Sequence, residues 1–90
     1  MMFSLAFTKH AERTLEKFEQ TISQKIYKNL QKIKSNPYKF IEPLNRPKGA
    51  EPLYKLRIGE YRAIMAIRNN ELIILVVDIG HRKMIYRKYQ

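Results

Sequence analysis

Ninety residues, 18 Lys and Arg against 8 Asp and Glu, and no cysteine exclude a multidomain protein, a disulfide scaffold, a Cys-ligated zinc site and an iron–sulfur cluster. A chain of this length makes one domain, residues 1–90, which buries only about 60–65% of the surface its unfolded form exposes and stands on packing alone. The formal net charge of +10 points to a polyanionic partner, most often nucleic acid, because neutralising phosphates releases counterions.

The opening segment Met2 to Phe7 is short, apolar and aromatic, and it halts at Thr8, which suits a first strand. It lacks the basic and long apolar regions of a signal peptide, and no apolar run approaches the ~18 residues of a membrane span, so a reducing cytoplasm is the expected compartment. Ala11, Leu15 and Phe18 then recur at helical spacing, with Thr8 placed to cap the helix. Thr21-Ile22-Ser23-Gln24 fits a capping box, and Ile22, Ile26, Leu30 and Ile33 form one stripe that ends before Asn36-Pro37. Two helices so closely joined predict a hairpin that needs a surface to cover.

Residues 37–52 hold all four prolines and Gly49, and read as a connection without an element of its own. Three strand patterns follow: Leu53 to Ile58, Tyr61 to Arg68, and Leu72 to Ile79, the last almost continuous in Ile, Leu and Val. Gly59-Glu60 predicts a two-residue type II′ turn and Asn69-Asn70 a type I′ turn. The expected fold is therefore α+β, with an N-terminal strand, a two-helix hairpin, a three-stranded antiparallel meander and a short C-terminal segment.

Alternation along the meander places Lys55, Arg57 and Arg62 on one face, with Arg57 opposite Arg62 across the Gly59-Glu60 turn. Like charges so placed repel unless an anion lies between them. Glu51 and Glu60 fall in the connection and the turn, so no carboxylate is expected in this patch, and His81-Arg82-Lys83 delivers more charge to the same end of the sheet. Both faces of the meander are also apolar, so the second must be covered by the connection and C-terminal segment or by another chain.

Converging carboxylates are absent from the pattern, which offers a lone Asp78 and scattered glutamates, so neither a two-metal nuclease nor any cofactor is expected. No P-loop, GxGxxG, Ser–His–Asp arrangement or zinc spacing is present. His10 sits at the start of the first helix with no expected route to the meander, leaving His81 as the acid/base candidate. What remains is RNA cleavage by a basic site, in which cations stabilise the phosphorane-like transition state.

The segment Leu53-Tyr54-Lys55-Leu56-Arg57-Ile58-Gly59-Glu60-Tyr61-Arg62, followed by Asp78-Ile79-Gly80-His81-Arg82 and Tyr86, resembles the RelE/ParE superfamily of toxins from toxin–antitoxin modules. The resemblance covers essentially the whole chain. It implies a ribosome-dependent, metal-free mRNA endoribonuclease that blocks translation, silenced by a RelB-like antitoxin in a heterodimer or heterotetramer. It also implies that Lys55 and Arg57 are the two basic strand positions, that Arg62 and Arg82 contact the scissile phosphate, and that Tyr86 orients or deprotonates the 2′-OH or stacks on a base. Arg57 stands where lysine is usual, and the Arg82 to Tyr86 spacing is short. Lys83, Arg87 and Lys88, with the helix lysines Lys25, Lys28 and Lys32, are the expected contacts to RNA and ribosome. The chain stops at Gln90, which leaves no room for a C-terminal helix on this reading. The alternatives are a ParE-like inhibitor of DNA gyrase and a non-catalytic RNA- or ribosome-binding module.

Overall fold

In the computed structural model, which describes residues 2–89, Thr8 decides where the first helix begins. Its Oγ1 accepts a hydrogen bond from the Ala11 amide at 3.2 Å and ends strand β1 (Ser4–Phe7) by capping helix α1 (Lys9–Lys17). Helix α2 spans Gln20–Lys32 and starts at Glu19, with no side-chain cap bond. The expected capping box at Thr21 does not form, and the Ser23 hydroxyl instead donates to the Gln20 carbonyl. Phe18 explains the earlier start: extended at the end of α1, it packs edge-to-face on Tyr61 at 5.4 Å, and the chain must turn immediately. Ile26, Leu30 and Ile33 of the expected stripe are buried.

After two single-turn 3-10 segments at Ile33–Ser35 and Pro37–Lys39 come strands β2 (Ile41–Pro43), β3 (Tyr54–Ile58), β4 (Tyr61–Arg68) and β5 (Ile73–His81). They form one sheet in the order β1-β5-β4-β3-β2. The first strand runs parallel to β5, from Ser4 opposite Ile73 to Phe7 opposite Val76, and all other pairs are antiparallel. The sheet therefore has one strand more than the expected meander plus β1, because residues 37–52 do contain a strand. Pro43 is tolerated there since β2 lies on the sheet edge, where a missing amide donor breaks no ladder.

The register across Gly59-Glu60 is the expected one, with Ile58 opposite Tyr61 and Arg57 opposite Arg62, and Gly59 takes the positive φ of +59° that the turn demands. The next turn is longer than Asn69-Asn70. Arg68 pairs with Ile73, and Leu72 adopts a φ of +54°, held there by its carbonyl accepting from the Ser4 amide at 2.7 Å. Strand β1 thus reaches across and fixes the loop.

Between Ile64–Asp78 and Met65–Val76 the ladder slips by one residue, leaving Val77 as a bulge. The slip moves Ile79 opposite Ala63, on the face packed by the helix hairpin, and Asp78 opposite Ile64. Both faces are apolar, as expected, and the chain covers both itself. One face packs Leu56, Ile58, Ala63, Met65, Ile74 and Val76 against Ala11, Ile26, Leu30 and Ile33. On the other, Ile64 and Ala66 pack with Leu53, Leu44, Ile85 and Tyr89. The last two belong to helix α3 (Arg82–Tyr89), which corrects the expectation that no C-terminal helix fits. It starts directly on the end of β5, so it needs no connecting residues, and its basic last turn with Arg87 and Lys88 complements the helix dipole. No helix among the described residues is long and apolar enough to cross a membrane.

Ile85 is only 2% exposed and is the main apolar anchor of α3. Its replacement by alanine should lower stability by about 2–5 kcal/mol in urea titration, whereas Met84→Ala, at an exposed position one residue away, should stay within about 0.5 kcal/mol.

Candidate functional site

Arg62 of β4 is the centre of the basic cluster and is itself buried, at 3% exposure. A buried guanidinium needs its donors satisfied. Its Nη1 donates to the carbonyls of Gly59 and Tyr61, each at 2.8 Å, and its Nη2 donates to the phenol oxygen of Tyr86 at 3.2 Å. All three acceptors are neutral oxygens, so the bonds satisfy the donors without cancelling the charge.

The same turn is gripped from the other side. The Arg82 amide donates to the Glu60 carbonyl at 2.8 Å, and Arg82 Nε lies 3.5 Å from Glu60 Oε1, within reach of an ion pair but without hydrogen-bond geometry. Glu60 therefore does share the patch, contrary to the sequence expectation, because α3 folds back and brings Arg82 over the turn. Glu42 adds a second carboxylate nearby, opposite Lys55 in the β2–β3 register.

Tyr86 follows Arg82 by one helical turn and so lies on the same side of α3. The Lys55 ammonium lies 5.5 Å from its ring centroid and the Arg62 guanidinium 5.7 Å. The Arg62 hydrogen bond, aided by the charges of Arg62, Lys55 and Arg82, holds the Tyr86 phenol below the ordinary tyrosine range. Such a shift raises the fraction present as phenolate, the form that can take up a proton, above that of a free tyrosine. Lys55, Arg62, Arg82 and Tyr86 thus converge on one spot. Beside it, a cavity of about 440 Å³ is walled by Leu44, Asn45, Lys55, Ile85, Tyr86 and Tyr89 among others.

The remaining sequence candidates lie outside this group. Arg57 is exposed on β3, opposite Arg62 in register. His81 is paired with Tyr61, packs edge-to-face on its ring at 5.9 Å, and accepts the Lys83 amide at Nδ1, which places it with the Phe18–Tyr61 side of the sheet. Lys83 and Arg87 are exposed. Lys25, Lys28 and Lys32 are exposed on α2, and the Lys25 ammonium lies 3.0 Å from where a Cβ on Gly59 would stand, over the β3–β4 turn. Among the described residues no three His, Asp or Glu side chains come together as a metal site would require.

Lys88 is not a free cation. Its ammonium lies 3.0 Å from Asp78 Oδ2, and Asp78, 3% exposed, also accepts from Tyr89 Oη at 2.9 Å and from the Ile79 amide. His10 Nε2 lies 3.0 Å from Asp78 Oδ1. The first helix does reach the meander, contrary to expectation, because the bulge at Val77 sends Asp78 to where α1 and α3 approach β5. Burial works to raise the Asp78 carboxyl, but hydrogen bonds from Lys88, Tyr89 and His10 outweigh it and hold the group below the usual aspartate range. The Tyr89 phenol moves the opposite way, pushed up to about 12 by burial and by its bond to Asp78. Sequence patterning gives no signal for this network, since its members are 68 and 11 positions apart.

Residues 5–86 match the family described as ParE toxin of type II toxin-antitoxin system, parDE. The chain is 29% identical over 85 residues, 92% of its length and 86% of the relative's, to a protein of Escherichia coli described as RelE-like toxin. Its fold is similar to that in the RelBE2 toxin–antitoxin complex of Mycobacterium tuberculosis, with a TM-score of 0.80, 23% identity, and 91% of this chain and 100% of that one covered. It is also similar to that in the RelE–RelB complex of Pyrococcus horikoshii OT3, with a TM-score of 0.73, 20% identity and coverages of 91% and 97%. For the isolated RelE toxin of Escherichia coli the TM-score is 0.70 at 22% identity, with 98% and 94% covered.

Asp78 on β5 and Tyr89 on α3, bonded to each other, make the stability of that junction depend on pH. Asp78 is lower in the folded chain than the ~3.9 of an unfolded aspartate, so the stability from its network is complete above that value and is lost as pH falls through the folded one. The Tyr89 bond is intact below ~10 and is lost as pH rises toward about 12. Thermal melts should therefore show a melting temperature that declines at both ends, and Asp78→Asn should be less stable at neutral pH with a smaller decline in acid.

Proposed function

Because the chain belongs to the ParE toxin family of type II toxin–antitoxin systems, within the RelE/ParE superfamily, we propose that this RelE-type toxin is a ribosome-dependent endoribonuclease that cuts messenger RNA in the A site and stops translation. The observation that carries the reading is the Arg62–Tyr86 hydrogen bond inside a cluster of three cations. That arrangement supplies a phenol whose phenolate is favoured and positive charge to meet a phosphate, both of which strand cleavage by an internal nucleophile uses.

In the reaction the 2′-oxygen of one nucleotide, its proton passed to the Tyr86 phenolate, attacks the adjacent phosphorus, a 2′,3′-cyclic phosphate forms, and the bond to the 5′-oxygen breaks, that oxygen taking a proton from water. Tyr86 orients the 2′-OH and takes its proton. Lys55 and Arg82, the latter's side chain 42% exposed, meet the charge that builds on the phosphorane oxygens, where preorganised cations are most effective. Arg62 is too deeply enclosed to be the first cation that a phosphate meets. It acts on the reaction through Tyr86, by lowering the phenol and fixing its oxygen. Arg57 and the exposed Lys83 and Arg87 extend the positive surface along which the message lies. Proteins of the same fold are found with their antitoxins in the complexes from Mycobacterium tuberculosis and Pyrococcus horikoshii, which supports a RelB-like antitoxin as the silencing partner of this chain.

Primer extension on ribosome-bound message tests the proposal. New 5′ ends should appear within the A-site codon, and Arg82→Ala or Tyr86→Phe should reduce their formation by about 10²–10³-fold while ribosome binding is retained. Loss of binding in step with cleavage would indicate a binding module, and no new ends together with blocked supercoiling by DNA gyrase would indicate a gyrase inhibitor.

A further inference from the structure

Asp78 takes no part in the chemistry above, yet it is the one carboxylate buried among the described residues. We infer that Asp78 is a positioning residue for the site: by binding Lys88 and Tyr89 at one oxygen and His10 at the other, it fixes the far end of α3 and keeps Tyr86 on Arg62. Its effect on cleavage rests on the endoribonuclease reading, whereas its effect on Tyr86 does not.

The reason lies in the shape of α3. Eight residues make a helix too short to hold its own conformation in water, and its apolar seat consists of Ile85, deeply buried, and the partly buried Tyr89. Its start is fixed by its junction with β5 and by the Arg82 amide on the Glu60 carbonyl. Its end is fixed, among the carboxylates of the described residues, by Asp78 alone, through Lys88 and Tyr89. Tyr86 stands between the two tethers, one turn before Tyr89, and its bond to Arg62 at 3.2 Å leaves little slack for rotation of the helix.

The pair of buried Asp78 with the half-exposed Lys88 is also a poor way to gain stability, because desolvation of the carboxylate and solvent screening of the lysine offset most of the attraction. What the pair supplies is a fixed direction: Lys88 and Tyr89 both converge on Oδ2, while His10 on α1 holds Oδ1. The bulge at Val77 is what brings the carboxylate there. A register without it would place Asp78 among the apolar residues of the helix-hairpin face.

The test uses the full chain with its tyrosines labelled with ¹³C at Cζ, so that each phenol titration is read by NMR and Tyr86 is assigned by Tyr86→Phe. Asp78→Asn keeps the shape and removes the charge. Lys88→Met combined with Tyr89→Phe removes both donors from the helix and leaves the carboxylate. In each variant the Tyr86 midpoint should rise toward the ordinary ~10, and kcat for A-site cleavage should fall by about 10- to 100-fold with KM changed less than about twofold. A folded variant in which Tyr86 titrates as in the unaltered chain overturns the inference, even if that variant is less stable. Should Asp78→Asn fail to fold, the double variant decides. Should the unaltered protein cut no message, the proposed function falls and the phenol titration still decides the role of Asp78.

Discussion

A sheet with apolar residues on both faces loses stability on whichever face stays wet, and here two different parts of the chain prevent that. The helix hairpin takes one face through Ile26, Leu30 and Ile33. The stretch around Leu44 and Leu53 takes the other together with α3. Site geometry follows from this second covering, because the helix that brings Ile85 onto the sheet also carries Arg82 and Tyr86. Burial of one isoleucine and the placing of a phenol beside three cations are thus one structural event.

Two buried charges of opposite sign frame that helix, and they are handled differently. Asp78 is given cationic and hydroxyl partners from two helices, which satisfy and largely neutralise it. Arg62 is given two peptide carbonyls and a phenol, which satisfy its geometry and leave its charge in force. A neutralised group holds things in place; an uncompensated one acts on its surroundings. The lowered phenol of Tyr86 is the visible result of the second arrangement. The chain's large positive charge matters less for its sum than for the buried Arg62, whose partners are all neutral oxygens.

What the sequence discloses is governed by how local the cause is. The Gly59-Glu60 hairpin, the cap at Thr8 and the stripe of α2 depend on neighbours within a few positions, and all three are legible, as is the register that sets Arg57 opposite Arg62. Strand β2 was hidden by its proline, since edge pairing to β3 is a tertiary fact. Helix α3 was hidden by its composition: among Arg82, Lys83, Arg87 and Lys88 too few apolar residues remain to show a period, and the helix exists because β5 and Asp78 hold it. The bulge at Val77 has no local signature, so Asp78, His10 and Lys88 read as a lone acid, a remote histidine and a free lysine. Patterning brings Arg82 to the same end of the sheet as Arg62, but Tyr86 was legible only through the resemblance, because its place requires a helix that patterning does not reveal.

The parallel pairing of β1 with β5 gives the molecule a history as well as a shape. Strands β3, β4 and β5 are joined by short turns and can pair as soon as they meet, but Ser4 finds Ile73 only by closing almost the whole chain into a loop, and such closures are slow. The His10–Asp78 bond, across 68 positions, waits on the same closure. Only the His10 side of the Asp78 network depends on that closure, whereas the Lys88 and Tyr89 bonds that reach α3 span 10 and 11 positions. A chain still open at β1 would already hold its cations and phenol on the meander and α3, with Asp78 left wet on the side that His10 closes.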